Sequence, residues 1–439
     1  MDTVAQVAAA MQRVLTQVAE RAGVESGMIR RRRKLSGASF IQALVFGWLA
    51  DGRASLGSLN QAAAAVGVAI SPQGLDRRFT PQAAECLRRV LEAMIQEVIR
   101  VEPVGIPLLR RFAGVCLLDS STLGLPAELL AVWPGCGDSR GATAALKLQV
   151  RWNFLDGALE QVQLQAGREH DHSSSLQGSR LPSGALRIAD LGYFDLDVLQ
   201  QYHTQGVFWL SRYKIGTVLY DDQGEMLDLQ AQLRRHKPDQ VEWQVQLGSG
   251  HRLPCRLLAV RVPAQVAADR RRRLKRQAQK RGQRLSQTRL ALAHWTLLIS
   301  NAPPQALTLQ EALVLARTRW QMEMLFKLWK YHGSLRPFSS RNPWRVLCEV
   351  YAKLIGLVMQ HWMILIGCWR FPNRSWVKAA QTIQKHAFYL VSALPCRSRL
   401  TQALHTIQRC LTAGCRMNAR RTAPNNYQLL LNPSLGGLS

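Results

Sequence analysis

The chain has 439 residues, too many for one ordinary hydrophobic core, so two or more domains are expected. At 47% hydrophobic and 20% charged residues it reads as a folded chain and not as a disordered one. Fifty-seven Lys and Arg against 29 Asp and Glu leave a formal net charge of +28, which points to a polyanionic partner, nucleic acid first.

Other classes are excluded by pattern. The first twenty residues lack a basic segment followed by an apolar run, so no secretory signal is expected. The most lipid-like stretch, residues 354–369, is sixteen residues long and contains Gln360 and His361, which predicts a buried core helix and no membrane span. Nine scattered cysteines without a C-x-x-C pair argue against a disulfide framework and a zinc ribbon. Free thiols in the cytosol are the expected setting.

Residues 1–105 carry apolar residues at three- and four-residue spacing, which predicts helices. Within them, residues 58–79 read as a helix, a turn at Gly67 and a second helix from Ser71-Pro72, a pattern open to a helix-turn-helix or a plain helical hairpin. The run Arg30-Arg31-Arg32-Arg33-Lys34 reads as a phosphate clamp or as a solvated loop.

From residue 106 the pattern turns to strands. VCLLD (115–119) and LRIAD (186–190) are short apolar runs of the kind buried on both sheet faces. Two alternating segments flank Leu155-Asp156-Gly157 and predict a hairpin. VFWLSRYK (207–214), a β-rich stretch over 215–265 and WTLLIS (295–300) supply further strands. Residues 270–290, with Arg270, Arg271, Arg272 and Arg273, predict a basic helix or an exposed arm. The remainder reads as helical.

Three carboxylates stand out. Asp119 and Asp190 each end a buried apolar run, where α/β sheets collect ligands and catalytic groups, although a strand-end Asp also serves as a plain cap. Thr308-Leu309-Gln310-Glu311 forms a capping box that opens a helix to about Tyr331. On it, Arg319, Glu323 and Lys330 share one face, opposite Leu313, Leu325, Leu328 and Trp329; an ion-paired solvated face is the plainer reading. Carboxylate oxygens are the ligands Mg²⁺ prefers, and a few suffice when phosphate supplies others, so this set suits metal-assisted phosphodiester cleavage. Arg and Lys beside it would hold the DNA backbone.

These residues resemble the DDE transposases of the insertion-sequence-four family, whose catalytic domain is RNase H-like. The family's Y-x2-R-x3-E-x6-K helix motif aligns with residues 316–330, placing Arg319, Glu323 and Lys330 on its Arg, Glu and Lys positions. ADLGYF around Asp190 resembles the segment of the second Asp, and LLDSST places Asp119 at the first. WTLLISNAP resembles the segment ahead of the glutamate helix, with Trp295 on a tryptophan that stacks against a flipped base during hairpin formation. The family's Tyr is Ala316 here, which removes a ring and hydroxyl that hold the terminal phosphate and the hairpin.

The resemblance implies an α/β fold: an RNase H-like catalytic core with a β-rich insertion, flanked by N-terminal and C-terminal helical regions. The expected divisions are a helical DNA-binding domain over 1–105, the core over 106–214 and 295–370, the insertion with its basic segment over 215–294, and a helical region over 371–439 that is the candidate for dimerisation. It also implies cut-and-paste transposition, with Asp119, Asp190 and Glu323 as catalytic metal ligands for Mg²⁺ or Mn²⁺. Double-stranded DNA is the implied partner, with Arg319, Lys330, Trp295, Arg31, Arg32, Arg33, Arg271 and Arg272 as contacts in a homodimer. Competing readings are a non-catalytic DNA-binding descendant and a metal site at His170-Asp171-His172, which also reads as a solvated loop.

Overall fold

The computed structural model describes residues 2–31, 35–137, 141, 143–280, 282–333, 335, 338, 340–417 and 426–435. The fold is mixed α/β, and the chain divides into two compact units, each built from separate stretches of sequence. One unit comprises Met1–Val104, Ser120–Glu169 and Glu323–Arg420; the other comprises Gly105–Asp119, His170–Met322 and Arg421–Ser439.

The first unit is mainly helical. Its centre is the helix Pro343–Cys368, packed by the helices Gly37–Ala50, Pro81–Gln96 and Arg397–Gly414. This helix is apolar on all sides because it is enclosed on all sides: 94% of its most apolar window is buried within the protein. The buried core helix expected from residues 354–369 is therefore what forms. The candidate helix-turn-helix folds as Leu56–Ala65, a turn with Gly67 at φ +80°, and Pro72–Asp76. At five residues the second helix is shorter than a groove-reading helix needs, so the helical-hairpin alternative describes it better.

The same unit contains the predicted hairpin. Strands β2 (Ala144–Asn153) and β3 (Leu159–Ala166) pair antiparallel, with a bulge at Arg151/Trp152. Gly157 takes φ +74° in the turn, and its carbonyl accepts from Trp152 Nε1 at 2.9 Å and from His361 Nε2 at 2.8 Å. His361 is 1% exposed, and burial pushes its pKa down from 6.5 to about 4. The imidazole is thus neutral in the fold. Stability from this group is complete above pH 6.5 and falls as acid lowers the pH toward 4, where only the unfolded chain takes up the proton. A loss of about 3 kcal/mol over that window is expected from the size of the shift. Denaturant titrations at pH 7 and pH 4.5 check this; His361→Gln, which cannot titrate, should show a correspondingly flatter dependence.

The second unit holds a twisted sheet with helices against it. Strand β1 (Val115–Leu125) begins in this unit and runs on past Asp119 into the other. It pairs parallel with β4 (Leu186–Ala189), and β4 pairs parallel with β5 (Phe208–Arg212). Next come β9 (Trp295–Ser300), β8 (Leu253–Arg261), β7 (Gln240–Leu247) and the short β6 (Leu219–Tyr220), all antiparallel. The β-rich stretch of 215–265 accordingly extends the same sheet, through six paired positions of β8 on β9. The basic segment forms a helix, Ala264–Lys280, in which Ala267 is the buried residue. An exposed helix this rich in arginine is held by few contacts, Arg270 to the Trp295 carbonyl at 3.0 Å and to Thr296 Oγ1 at 3.0 Å among them.

Candidate active site

Register brings the two aspartates together. In the parallel pair β1–β4, Leu118 is the partner of Ala189, so Asp119 and Asp190 are the next residue on each of two neighbouring strands. The strand-end reading holds for Asp190, which follows Ala189 as the strand stops. It needs correcting for Asp119: β1 continues to Leu125, although its parallel pairing with β4 stops at Leu118. The residues that follow, Ser120, Ser121 and Thr122, continue it in extended backbone.

Neither aspartate serves as an ordinary cap. The turn Leu191–Tyr193 follows Asp190 without any hydrogen bond from the Asp190 side chain. The next helix, Leu196–Thr204, is capped by Asp195, whose carboxylate accepts from the Val198 amide at 3.2 Å. Both site carboxylates turn instead to Arg319. Its Nη1 donates to Asp119 Oδ2 at 3.0 Å, and its Nε lies 3.6 Å from Asp190 Oδ1. Asp119 and Arg319 have side chains 13% and 17% exposed, whereas Asp190 is 41% exposed and open to solvent. Two carboxylates thus share one guanidinium.

Arg319 lies where the predicted long helix divides in two, with its own backbone still helical at φ −51° and ψ −31°. The capping box forms as expected, with Thr308 Oγ1 accepting from the Glu311 amide and Glu311 Oε2 accepting from the Thr308 amide. The helix Leu309–Thr318 then ends, Arg319 is its C-cap, and a second helix runs Trp320–Lys327. Thr318 donates its hydroxyl to the Leu315 carbonyl at 2.6 Å, a back-bond of the kind that bends helices. A π-turn, Leu328–His332, follows. Periodicity cannot reveal such breaks, since the apolar spacing persists through them: Leu325, Leu328 and Trp329 are buried as predicted, while Leu313 is only partly so.

Glu323 lies in the first turn of Trp320–Lys327 and begins the last segment of the helical unit. In that unit Lys330 Nζ donates to the Thr122 carbonyl at 3.0 Å. Trp295 opens β9 with 8% exposure, and the Arg261 guanidinium covers its ring at 4.7 Å. Arg271 pairs with His294 at 2.6 Å, and Arg272 with Asp269. Arg31 is exposed and lines a cavity of about 540 Å³ with Arg30, Arg78, Thr80 and Gln82. Arg32 and Arg33 lie outside the described residues. Trp320, Met324 and Tyr331, close in sequence to Glu323 and Lys330, are large apolar side chains left exposed. A Trp at the charged face of an otherwise amphipathic helix was the available signal.

His170, Asp171 and His172 enter a short turn, Asp171–Ser173, with both rings exposed and 5.5 Å apart between centroids. Among the described residues, no three His, Cys, Asp or Glu side chains stand close enough to hold a metal ion as a group. The solvated-loop reading describes this segment better.

The Transposase DDE domain family matches residues 110–359, more than half of the chain and all of the geometry around Asp119, Asp190 and Arg319. The chain belongs to the transposase DDE domain family. It is 26% identical over 354 residues to the transposase for insertion sequence element IS231B of Bacillus thuringiensis subsp. berliner, covering 75% of this chain and 73% of the relative. To the transposase for insertion sequence element IS1151 of Clostridium perfringens it is 23% identical over 310 residues, 65% of each chain. A solved structure, the piggyBac transposase synaptic complex with hairpin DNA, aligns with a TM-score of 0.47 at 10% identity, covering 95% of this chain and 86% of that one. DDE domains in general work with divalent metal ions. The donor set here fits one: Asp119 and Asp190 offer hard oxygens, and Asp190 is accessible from solvent.

Proposed function

We propose that this protein is the transposase of an insertion sequence, moving it by metal-dependent cleavage and strand transfer at the element's ends. The observation that carries the reading is the pairing of Asp119 and Asp190 at one register step, joined through Arg319, inside the matched DDE domain. We assign Asp119, Asp190 and Glu323 as the ligands of Mg²⁺, with Mn²⁺ as a substitute. The ion would supply Lewis-acid stabilisation of the phosphate and of the leaving 3′ oxygen.

The chain's own residues set the geometry. Arg319 holds both aspartates in place and gives a phosphate oxygen a cationic neighbour. Glu323 follows it by four residues on the next helix. Two or three carboxylates are enough, because phosphate oxygens and water complete the shell of a hard cation. In the first reaction water attacks the phosphodiester at the transposon end; the freed 3′-hydroxyl then attacks the opposite strand or the target.

Binding of double-stranded DNA draws on the net charge of +28. Lys330, Arg31, Arg271 and Arg272 are our candidates for phosphate contacts, with Arg32 and Arg33 extending the Arg31 patch in sequence. Trp295 meets a base only after Arg261 leaves its ring, so we assign stacking to a rearranged, DNA-bound state. Pairing of two element ends calls for a homodimer, and residues 371–439 are our candidate for its contacts.

The test uses a supercoiled plasmid carrying the gene with its native flanking DNA, incubated with protein and Mg²⁺ or Mn²⁺. Nicks at the element's ends that disappear in Asp190→Ala and Glu323→Ala support the proposal. Binding without cleavage under either metal would favour the non-catalytic reading instead.

A further inference from the structure

Arg187 is the most heavily buried arginine near the site, and the reaction as described gives it no task. It is 4% exposed on β4, three residues before Asp190, where it is the register partner of Cys116 on β1 and Trp209 on β5. Both neighbours belong to the apolar core that this face of the sheet shares with the helix Leu196–Thr204. Its Nε has no hydrogen-bond partner, and the carboxylate that acts on it, Asp195, does so electrostatically without forming a salt bridge. The guanidinium lies 5.5 Å from the Tyr202 ring centroid, and burial pushes its pKa down. Such a charge is costly to bury, and an apolar side chain of similar volume would pack there at less expense.

One of its polar contacts leads to the turn that begins at Asp190. Nη2 of Arg187 donates to the Tyr193 carbonyl at 3.4 Å. The Tyr193 amide in turn donates to the Asp190 carbonyl at 2.9 Å, so Arg187 and Tyr193 bracket Asp190 from its two sides. Tyr202, over which the guanidinium lies, is itself fixed: its single hydroxyl proton is shared between the carbonyls of Gln177 at 2.7 Å and Ser179 at 2.9 Å. The far end of the Asp190 turn is thus tied to a braced aromatic ring through one buried cation.

We infer that Arg187 is a positioning residue for Asp190, spending fold stability to hold the turn that aims this carboxylate. The inference rests on the proposal that Asp190 belongs to the cleavage site. A carboxylate displaced by about an ångström forfeits on the order of 100-fold in rate, although nothing that touches DNA has changed.

The experiment compares wild type, Arg187→Met, Arg187→Lys and Asp190→Ala by thermal melting, end-DNA binding and plasmid nicking over a range of Mn²⁺ concentrations. Arg187→Met is expected to melt at or above the wild-type temperature, bind end DNA equally and nick at least about 10-fold more slowly. Its half-saturating Mn²⁺ should rise by a similar factor, because a loosely aimed ligand weakens the ion's site. Arg187→Lys, which retains the charge but not the reach, should fall between the two. Wild-type nicking by Arg187→Met would overturn the inference. So would a melting temperature well below wild type with rate lost in proportion, since that marks a purely structural residue. If Asp190→Ala itself still nicks, it is the assignment of Asp190 that fails.

Discussion

Asp190→Asn is expected to slow nicking at the element's ends by on the order of 10³-fold while leaving the protein folded and able to bind DNA. The substitution keeps the shape of the side chain and removes one ligand charge, which forfeits several kcal/mol of stabilisation for the phosphate in the transition state. Its effect on folding should be small. Asp190 is 41% exposed and stands 3.6 Å from Arg319, and a pair that open contributes about 0–1 kcal/mol. Asp119→Asn should lose as much activity but more stability, because its 3.0 Å bond to Arg319 lies in a cluster only 13% and 17% exposed. Nicking rates read beside melting temperatures check both. A rate within tenfold of wild type for Asp190→Asn would remove that residue from the chemistry.

The largest stability effect is expected at Gly157. An alanine there would drive its methyl group into Leu365 Cδ2 and to 2.9 Å from Trp369 Cδ2, in a backbone at φ +74°. Both penalties act together: left-handed strain of about 1 kcal/mol, and overpacking against a helix enclosed on every side, about 1–3 kcal/mol more. The carbonyl that accepts from both Trp152 and His361 would move with it. Gly67→Ala is the control, since that glycine has φ +80° but open space around it. Denaturant melts should place Gly67→Ala near 1 kcal/mol below wild type and Gly157→Ala about 2–4 kcal/mol below it. Equal losses would show that the turn can yield.

What could be read from the sequence was whatever repeats locally or carries charge. WTLLIS forms β9 over the predicted residues, and the Asp-Gly turn joins the two expected strands. The residues flanking Asp119 and Asp190 pointed to their positions, but their adjacency depends on a parallel register between strands some seventy residues apart, which no local pattern encodes. Arg319 reads as one member of a polar stripe; that it bridges both aspartates depends on strands distant in sequence, which apolar spacing along its own helix does not record. Arg187 was passed over for a simpler reason. An arginine inside LRIAD looks like an exposed exception in an apolar strand, and only burial shows otherwise.

The helical unit is assembled from three stretches, with Pro343–Cys368 at its centre. During synthesis its first hundred residues leave the ribosome long before the helix they must surround, and they wait while most of the remaining chain is made. The face of Gly37–Ala50 that meets Pro343–Cys368 stays uncovered in the interval, although Leu56–Ala65 already packs on another side. A message cut short before residue 343 would therefore yield no folded amino-terminal fragment able to occupy the element's ends and block the intact protein. Rapid proteolysis of a chain ending at residue 340, beside a resistant full-length protein, is the expected result.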